Sequence, residues 1–427
     1  MSSPSAVSSA PRHYALSIAI IGVLFFIFGF VTWLNGTLIP FLKLACDLQT
    51  DAQALLVTFA FYMSYFFLAI PSSYILRWTG FKNGMSLGLL VMAVGALIFI
   101  PAATARSFPL FLTGLFVQGM GLALLQTASN PYISVIGPIE SAASRISIMG
   151  ICNKVAGALS PIVLSAIVLS SANETVAQLE SAAGPAERAA LLQELSHRII
   201  PPYVVMASAL VLLALMIRFS PLPEIDAVTE SGTGAARADR KSSILQFPHL
   251  LLGVVCIFVY VGVEVMAGDV ITLYGKALGL GLDKTKTLTA YTMVSMLVGY
   301  TIGIFTIPRF MRQETALKLS ALTGILFSVV AFLAPGMVSI TFVALLGLAN
   351  ALMWPAIFPM AIDGLGRFTK IGSALLIMGI AGGAIIPQAY GFLSHVMGHQ
   401  AAFFWCVLPG YLYILFYAAK GHRIGRA

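Results

Sequence analysis

Hydrophobic residues fall along the chain in long runs that short polar clusters separate. A helix that crosses a bilayer needs roughly 20 mostly apolar residues. Six runs of about this length occupy the first half, at 15–41, 52–76, 84–104, 107–137, 145–171 and 200–219. Six more occupy the second half, at 247–275, 287–310, 315–335, 338–366, 370–397 and 400–420. The pattern predicts an all-α membrane protein with twelve spans, which we number 1 to 12.

A long charged segment between the sixth and seventh runs divides the chain into two halves. We predict a tail at 1–14, a six-helix bundle at 15–219, a linker at 220–246, a second bundle at 247–420 and a tail at 421–427. The segment at 172–199 is also polar, and its alanine-rich composition predicts a short surface helix.

The two halves resemble each other. The motif Ile-Met-Gly-Ile occurs at 148–151 in span 5 and at 377–380 in span 11, and Pro131 in span 4 corresponds to Pro355 in span 10. Parallel six-helix repeats of this kind are typical of the major facilitator fold, with the substrate site between the halves. We therefore predict two pseudo-symmetric bundles. Prolines inside the spans predict interrupted helices: Pro40, Pro131, Pro161, Pro355, Pro359 and Pro387.

Composition excludes a soluble domain. The chain is 59% hydrophobic and 9% charged, with a mean hydropathy of +0.94, whereas soluble domains are about 25% charged. If both termini are cytoplasmic, sixteen Lys and Arg residues lie on the inner side and seven on the outer side. Because cytoplasmic loops are enriched in these residues, this orientation is predicted. The net charge of +8 is then a property of the loops, and no nucleic-acid partner is expected.

Three charged residues lie inside spans away from their ends: Lys154 in span 5, and Glu264 and Asp269 in span 7. Ionisable groups at such depth are costly and are therefore candidates for function. One interpretation is a salt bridge between helices, with Lys154 as the partner of either acid. The other is a coupling site whose protonation or cation occupancy is linked to substrate binding.

Neutral polar and aromatic residues inside the spans indicate the substrate. Amides offer both donors and acceptors to sugar hydroxyls, and an indole or phenol face can cover the apolar face of a sugar ring. No arginine lies inside a span away from its ends, which argues against an anionic substrate. Each amide alone could equally join helices, but together they favour a neutral polyol. The predicted substrate-binding residues are Trp33, Asn35, Gln126, Asn130, Asn153, Tyr260, Trp354 and Gln388.

Enzymatic and metal chemistry have little support in the sequence. The four cysteines, Cys46, Cys152, Cys256 and Cys406, have neither disulfide nor metal-ligand spacing. All six histidines lie outside the spans or at their edges. We therefore expect no enzyme activity and no cofactor other than a co-transported ion.

Four segments resemble one transporter family. Residues 25–40, 60–67, 125–138 and 260–269 are similar to the fucose/glucose/galactose group of major facilitator sugar symporters, and the run through Asn130-Pro131-Tyr132 is the most specific. The resemblance implies a monomer in the bacterial inner membrane that imports a neutral hexose together with Na⁺ or H⁺, by alternating access.

Two positions depart from the fucose–proton branch of that family. The acids of that branch after the span 1 asparagine and in the span 4 motif are here Gly36 and Gln126. The sequence looks closer to the glucose/galactose branch and to its N-acetylglucosamine-transporting relatives. Aligning the ends of spans 1 and 7 places Gly36 opposite Asp269, which suggests that the coupling acid has moved to the second half. A proton-coupled fucose-type importer, an exporter and a non-accumulating sugar sensor remain alternatives.

Overall fold

The computed structural model describes residues 11–135, 142–168, 172–182, 184–222, 243–285, 287–307, 310–365 and 368–425. All regular structure in these ranges is helical. Eleven of the helices are long and apolar enough to cross a membrane. One of them, Leu56–Thr104, has 49 residues and is interrupted at Gly80, where φ is 74° and ψ is 175°. Because a left-handed residue ends a helix, this helix forms two spans, and the described ranges hold twelve.

The first bundle begins with a broken span. Its spans are Pro11–Trp33 with Asn35–Ala45 (span 1), the two parts of Leu56–Thr104 (spans 2 and 3), Phe108–Val135 (span 4), Ala142–Val168 (span 5) and Ile200–Phe219 (span 6). A short helix at Asp51–Ala54, capped by Thr50 and Gln53, precedes span 2. The segment between spans 5 and 6 forms two helices, Ala172–Ser181 and Pro185–His197, where one was predicted.

The second bundle contains three broken spans. Its spans are Pro248–Gly268 with Ile271–Ala277 (span 7), Leu288–Thr306 (span 8), Gln313–Leu333 (span 9), Gly336–Asn350 with Met353–Ile362 (span 10), Thr369–Met378 with Gly382–Met397 (span 11) and His399–Ala419 (span 12). A short helix at Leu282–Thr285 precedes span 8. Single 3-10 turns lie at Ile244–Gln246, Gly379–Ala381 and Gly421–Arg423.

The helix breaks agree only in part with the prolines. Span 10 breaks at Ala351 and Leu352, one turn before Pro355, as a proline in a helix predicts. The helices continue through Pro40, Pro161 and Pro387, because neighbouring groups in a bundle can satisfy the one carbonyl that a proline leaves free. Span 1 instead breaks at Leu34, and span 7 breaks at Asp269 and Val270. The two breaks are thus at corresponding places in the two halves.

The two halves meet along two pairs of spans. Span 2 packs against span 11, and span 5 packs against span 8. In the two repeats, span 2 corresponds to span 8 and span 5 corresponds to span 11. The two contacts between the halves are therefore equivalent by the pseudo-symmetry. This arrangement is the pseudo-symmetric one that the repeated motifs predict.

The outer surface of the bundle is apolar. Span 6, for example, exposes Val205, Leu212 and Phe219. Apolar exposure on this scale is unfavourable in water and favourable against lipid tails. Residues 223–242 of the predicted linker and residues 1–10 of the first tail lie outside the described ranges. The cytoplasmic position of the termini stays a prediction.

Candidate functional site

A cavity of about 110 Å³ lies between the two halves. Such a volume has room for several water molecules. The first half lines it with Phe25, Phe28, Thr32, Trp33, Tyr62, Tyr65, Gln126, Asn130, Ile146, Gly150, Asn153 and Lys154. The second half contributes Tyr260, Val261, Glu264, Val265, Tyr300, Trp354, Pro355 and Ile380. The wall combines aromatic faces with amides and one ion pair.

Eight of the eleven site residues predicted from sequence line this cavity. They are Trp33, Gln126, Asn130, Asn153, Lys154, Tyr260, Glu264 and Trp354. The other three, Asn35, Asp269 and Gln388, do not line it. The structure therefore gathers most of the predicted set from five different spans, and their roles stay predictions.

An ion pair crosses the cavity between the halves. Lys154 Nζ in span 5 lies 2.9 Å from Glu264 Oε1 in span 7, and both residues are buried. The Lys154 ammonium also lies 4.2 Å from the centroid of the Trp33 ring, within the range of a cation–π interaction. Of the two partners that the sequence left open for Lys154, the structure pairs it with Glu264.

Asp269 occupies a separate place, at the break of span 7. Its side chain is fully buried and lies beyond the cavity wall. The Tyr62 hydroxyl lies 3.5 Å from Asp269 Oδ2, and the Thr272 hydroxyl donates to the Asp269 backbone carbonyl at 3.0 Å. A buried carboxylate at a helix break has the chemistry of a proton or cation site.

The amides of the cavity have distinct partners. Gln126 Nε2 donates to the Tyr65 hydroxyl at 2.8 Å, and Asn153 Nδ2 donates to the Phe25 backbone carbonyl at 3.4 Å. Both bonds leave the carbonyl oxygen of the amide able to accept from a ligand.

Two polar atoms of the cavity wall are unsatisfied. Thr32 Oγ1 and Trp33 Nε1 are buried and have no hydrogen-bond partner among the described residues. Buried polar atoms in folded proteins are nearly always paired. Water or a ligand in the cavity would supply the missing partners.

The second half supplies the aromatic wall. Tyr260 and Trp354 lie with their ring centroids 6.4 Å apart, and Trp354 stacks on Phe358 at 5.6 Å. The stack fixes the orientation of the indole, so that its ring can serve as a flat apolar surface.

Asn35 and Gln388 lie elsewhere, although both were predicted to bind substrate. Gln388 Nε2 donates to the Ala52 backbone carbonyl at 3.1 Å, and this bond joins the halves at the end of the bundle that holds residues 43–55. Asn35 starts the second helix of span 1 and is buried, with neither side-chain polar atom paired among the described residues. The sequence thus identified these amides as polar groups inside spans, but it did not show whether they point into the cavity.

Three cavity tyrosines were not predicted as site residues. Tyr62 and Tyr65 are on span 2, and Tyr300 is on span 8. The first two belong to the segment 60–67, whose resemblance to the sugar symporters was the available signal. Their spacing of three residues places them on one helix face.

Known proteins share this architecture. The Major Facilitator Superfamily model matches residues 21–387. A glucose/galactose transporter of Brucella abortus is 32% identical over 97% of this chain and 96% of its own length. The L-fucose-proton symporter of Escherichia coli is 28% identical over 91% of this chain and 89% of its own. The crystal structure of the transporter FucP in an outward conformation superposes on this chain with a TM-score of 0.75. The two sequences are 26% identical, and the match covers 96% of this chain and 99% of FucP.

These matches span nearly the whole chain and agree with the twelve helical spans, the doubled contact between halves and the interfacial cavity. The chain is a multi-pass membrane protein that belongs to the Major Facilitator Superfamily.

Proposed function

We propose that this protein is a secondary active transporter that imports a neutral hexose together with Na⁺ or H⁺ across the bacterial inner membrane, by alternating access. The observation that carries the proposal is the cavity between the halves, in which amides and indole rings surround a neutralised ion pair. The names of the relatives, glucose/galactose transporter and L-fucose-proton symporter, agree with it.

The charge of the cavity favours a neutral substrate. Lys154 is the basic residue of its lining, and Glu264 compensates its charge at 2.9 Å. A carboxylate or phosphate substrate would compete with Glu264 for one ammonium and would find no arginine there. A neutral polyol can instead accept and donate hydrogen bonds without breaking the pair.

The buried carboxylate of Asp269 supports coupling to a cation. It lies outside the cavity but touches Tyr62, which is part of the cavity wall. A cation or proton bound there would not compete with sugar for space. We therefore assign coupling to Asp269 and assign to the Lys154–Glu264 pair the alignment of the two halves around the substrate.

The identity of the sugar is open between two groups. This chain has Gly36 and Gln126 where the fucose–proton branch has acids, which favours glucose, galactose or N-acetylglucosamine as the substrate. The similarity to the L-fucose-proton symporters of E. coli and Haemophilus influenzae favours L-fucose. One uptake assay with both kinds of sugar can separate the two groups.

Uptake by the purified protein in liposomes tests the proposal. Labelled D-glucose, D-galactose, N-acetylglucosamine and L-fucose are offered under an inward Na⁺ gradient, an inward proton gradient or neither. We expect concentrative uptake of at least one sugar under one of the gradients. Equilibration without accumulation under every gradient would contradict coupled transport.

Two glutamines of span 4 provide a matched pair of variants. Gln126 lines the cavity, whereas Gln118 is buried two turns earlier on the same helix and does not. We expect Gln126→Leu to weaken sugar binding about tenfold, because it removes a sugar partner and leaves the Tyr65 hydroxyl without its donor. Gln118→Leu should change the dissociation constant by less than about twofold. Equal effects of the two variants would place the sugar elsewhere.

A further inference from the structure

Tyr62 touches both the cavity and the buried carboxylate of Asp269. Its ring is part of the cavity wall, and its hydroxyl lies 3.5 Å from Asp269 Oδ2. Asp269 itself is fully buried and does not line the cavity. A substrate in the cavity can therefore influence Asp269 through Tyr62 without touching it.

The contact crosses from one half of the molecule to the other. Tyr62 belongs to span 2, and Asp269 lies at the break of span 7. The Tyr62 ring is held against Gly383 of span 11, where an added Cβ would lie 3.0 Å from the ring. That distance is shorter than ordinary van der Waals contact, so glycine at 383 leaves the space that the ring occupies.

Tyr65, one turn further along span 2, has a different partner. Its ring stacks near that of Tyr62 with centroids 6.4 Å apart, and its hydroxyl accepts from Gln126 Nε2 at 2.8 Å. This bond stays within the first half and has normal length. The two tyrosines thus share one cavity, but only the Tyr62 hydroxyl faces the carboxylate of the other half.

The length of the Tyr62–Asp269 contact matters for its function. A strong O–H···O bond is about 2.7–2.8 Å long, so at 3.5 Å the hydroxyl is weakly held. A phenol has one hydrogen to donate. Donation to a sugar hydroxyl in the cavity would withdraw it from Asp269.

We propose that Tyr62 is the positioning residue that links sugar binding to cation binding at Asp269. Sugar takes the hydrogen bond of Tyr62, the carboxylate loses one donor, and its negative charge then binds a cation or proton more strongly. By linkage, the cation strengthens sugar binding by the same factor. This inference rests on the proposed function and adds the route by which the two sites communicate.

Tyr62→Phe and Tyr65→Phe form the decisive comparison, because each removes a single hydroxyl from one helix face. The dissociation constant of the sugar that the wild type accumulates is measured with and without the coupling cation, at matched ionic strength. Couplings between sites are typically about 5- to 150-fold. We expect a wild-type shift in this range, a shift below about twofold in Tyr62→Phe, and an unchanged shift in Tyr65→Phe.

Transport assays separate coupling from binding. Tyr62→Phe should still exchange labelled for unlabelled sugar across the liposome membrane, but its gradient-driven accumulation should fall to the level of equilibration. Tyr65→Phe should weaken sugar binding equally with and without cation, and should still accumulate sugar. A Tyr62→Phe protein that accumulates sugar as the wild type does would overturn the proposal.

A double variant shows whether the two residues act as one unit. Asp269→Asn should abolish the cation-dependent shift, and Tyr62→Phe added to it should change nothing more. Additive effects would show two independent roles and would reject the link. Gly383→Ala gives a second approach, because it retains the Tyr62 hydroxyl but displaces the Tyr62 ring. We expect this variant to reduce the cation-dependent shift in sugar affinity.

The outcomes distinguish this inference from the proposed function. A wild-type protein that accumulates no sugar under any gradient contradicts coupled import itself. A wild type that accumulates sugar, beside a Tyr62→Phe variant that keeps its cation-dependent shift, contradicts only the role of Tyr62.

Discussion

At the scale of single residues, the Lys154–Glu264 pair dominates the energetics of the site. Both charges are buried and lie 2.9 Å apart, and neither can be removed alone without leaving the other uncompensated. Breaking a buried pair costs about 3–5 kcal/mol, whereas replacement of both partners by neutral groups is often tolerated. The pair is therefore expected to respond very differently to single and double substitution.

We predict that Lys154→Met lowers the stability of the protein by about 3–5 kcal/mol, and that Lys154→Met with Glu264→Gln restores most of it. Thermal unfolding of the detergent-solubilised protein, followed by fluorescence, measures both. If the double variant were as unstable as Lys154→Met alone, the loss of stability would not come from an uncompensated Glu264 charge. Arg188, which forms a solvent-accessible pair with Asp47, serves as the control position and should tolerate substitution by methionine.

The sequence reveals buried charges more readily than buried tyrosines. A charge inside an apolar run is costly wherever it points, so Lys154 and Glu264 could be identified from sequence alone. Tyr62 and Tyr300 could not, because a membrane helix is apolar on every side and its pattern does not fix which face turns inward. The same ambiguity misplaced Gln388, which is half-buried and bonds the other half away from the cavity.

At the scale of the helices, close approach of backbones determines where the site residues lie. Gly29 of span 1 packs directly on the backbone carbonyl of Asn153 in span 5. No side chain fits between them, so the backbones of the two spans are in direct contact, as small residues allow between membrane helices. Asn153 and Lys154 thus reach the cavity because residue 29 is glycine.

We predict that Gly29→Ala separates spans 1 and 5, lowers stability by about 1–3 kcal/mol and weakens sugar binding. Gly184→Ala is the matched control, because nothing lies within 4 Å of the added Cβ there; its effect should stay within about 0.5 kcal/mol. Unfolding temperature and sugar titration measure the two effects. Normal sugar affinity in Gly29→Ala would show that the spacing of these spans does not position the site.

The spans themselves could be predicted from hydrophobic length, whereas the breaks of spans 1 and 7 could not. Each run of about 20 apolar residues became a helix, since the bilayer demands internal hydrogen bonding. The breaks at Leu34 and at Asp269–Val270 carry no proline, and they depend on contacts between spans that no local pattern records. These breaks are also where the pseudo-symmetry of the two halves is clearest.

At the scale of the whole molecule, the halves are joined at the end that the loop charges assign to the outside. Asp51 of the first half pairs with Lys43 and lies 3.8 Å from His399 of the second half. Gln388 bonds the Ala52 carbonyl in the same layer. A transporter that works by alternating access must open this layer once in each cycle.

We predict that cysteines at Ala52 and Gln388, in a background without the four native cysteines, form a disulfide under mild oxidation and stop transport. Reduction should restore transport, because the cross-link holds a layer that must separate. Loss of thiol labelling and sugar uptake are measured in parallel. The single variants are the controls, and uptake that continues in the cross-linked protein would show that this layer does not open.

The placement of the four tryptophans has a practical consequence. Trp33 and Trp354 line the cavity, whereas Trp78 and Trp405 are 92% and 54% exposed at the outside of the bundle. In a protein with phenylalanine at the two outer positions, all tryptophan fluorescence would come from the cavity. A change in this fluorescence on addition of an unlabelled sugar would then report binding in the cavity directly, without a label on the protein or the ligand.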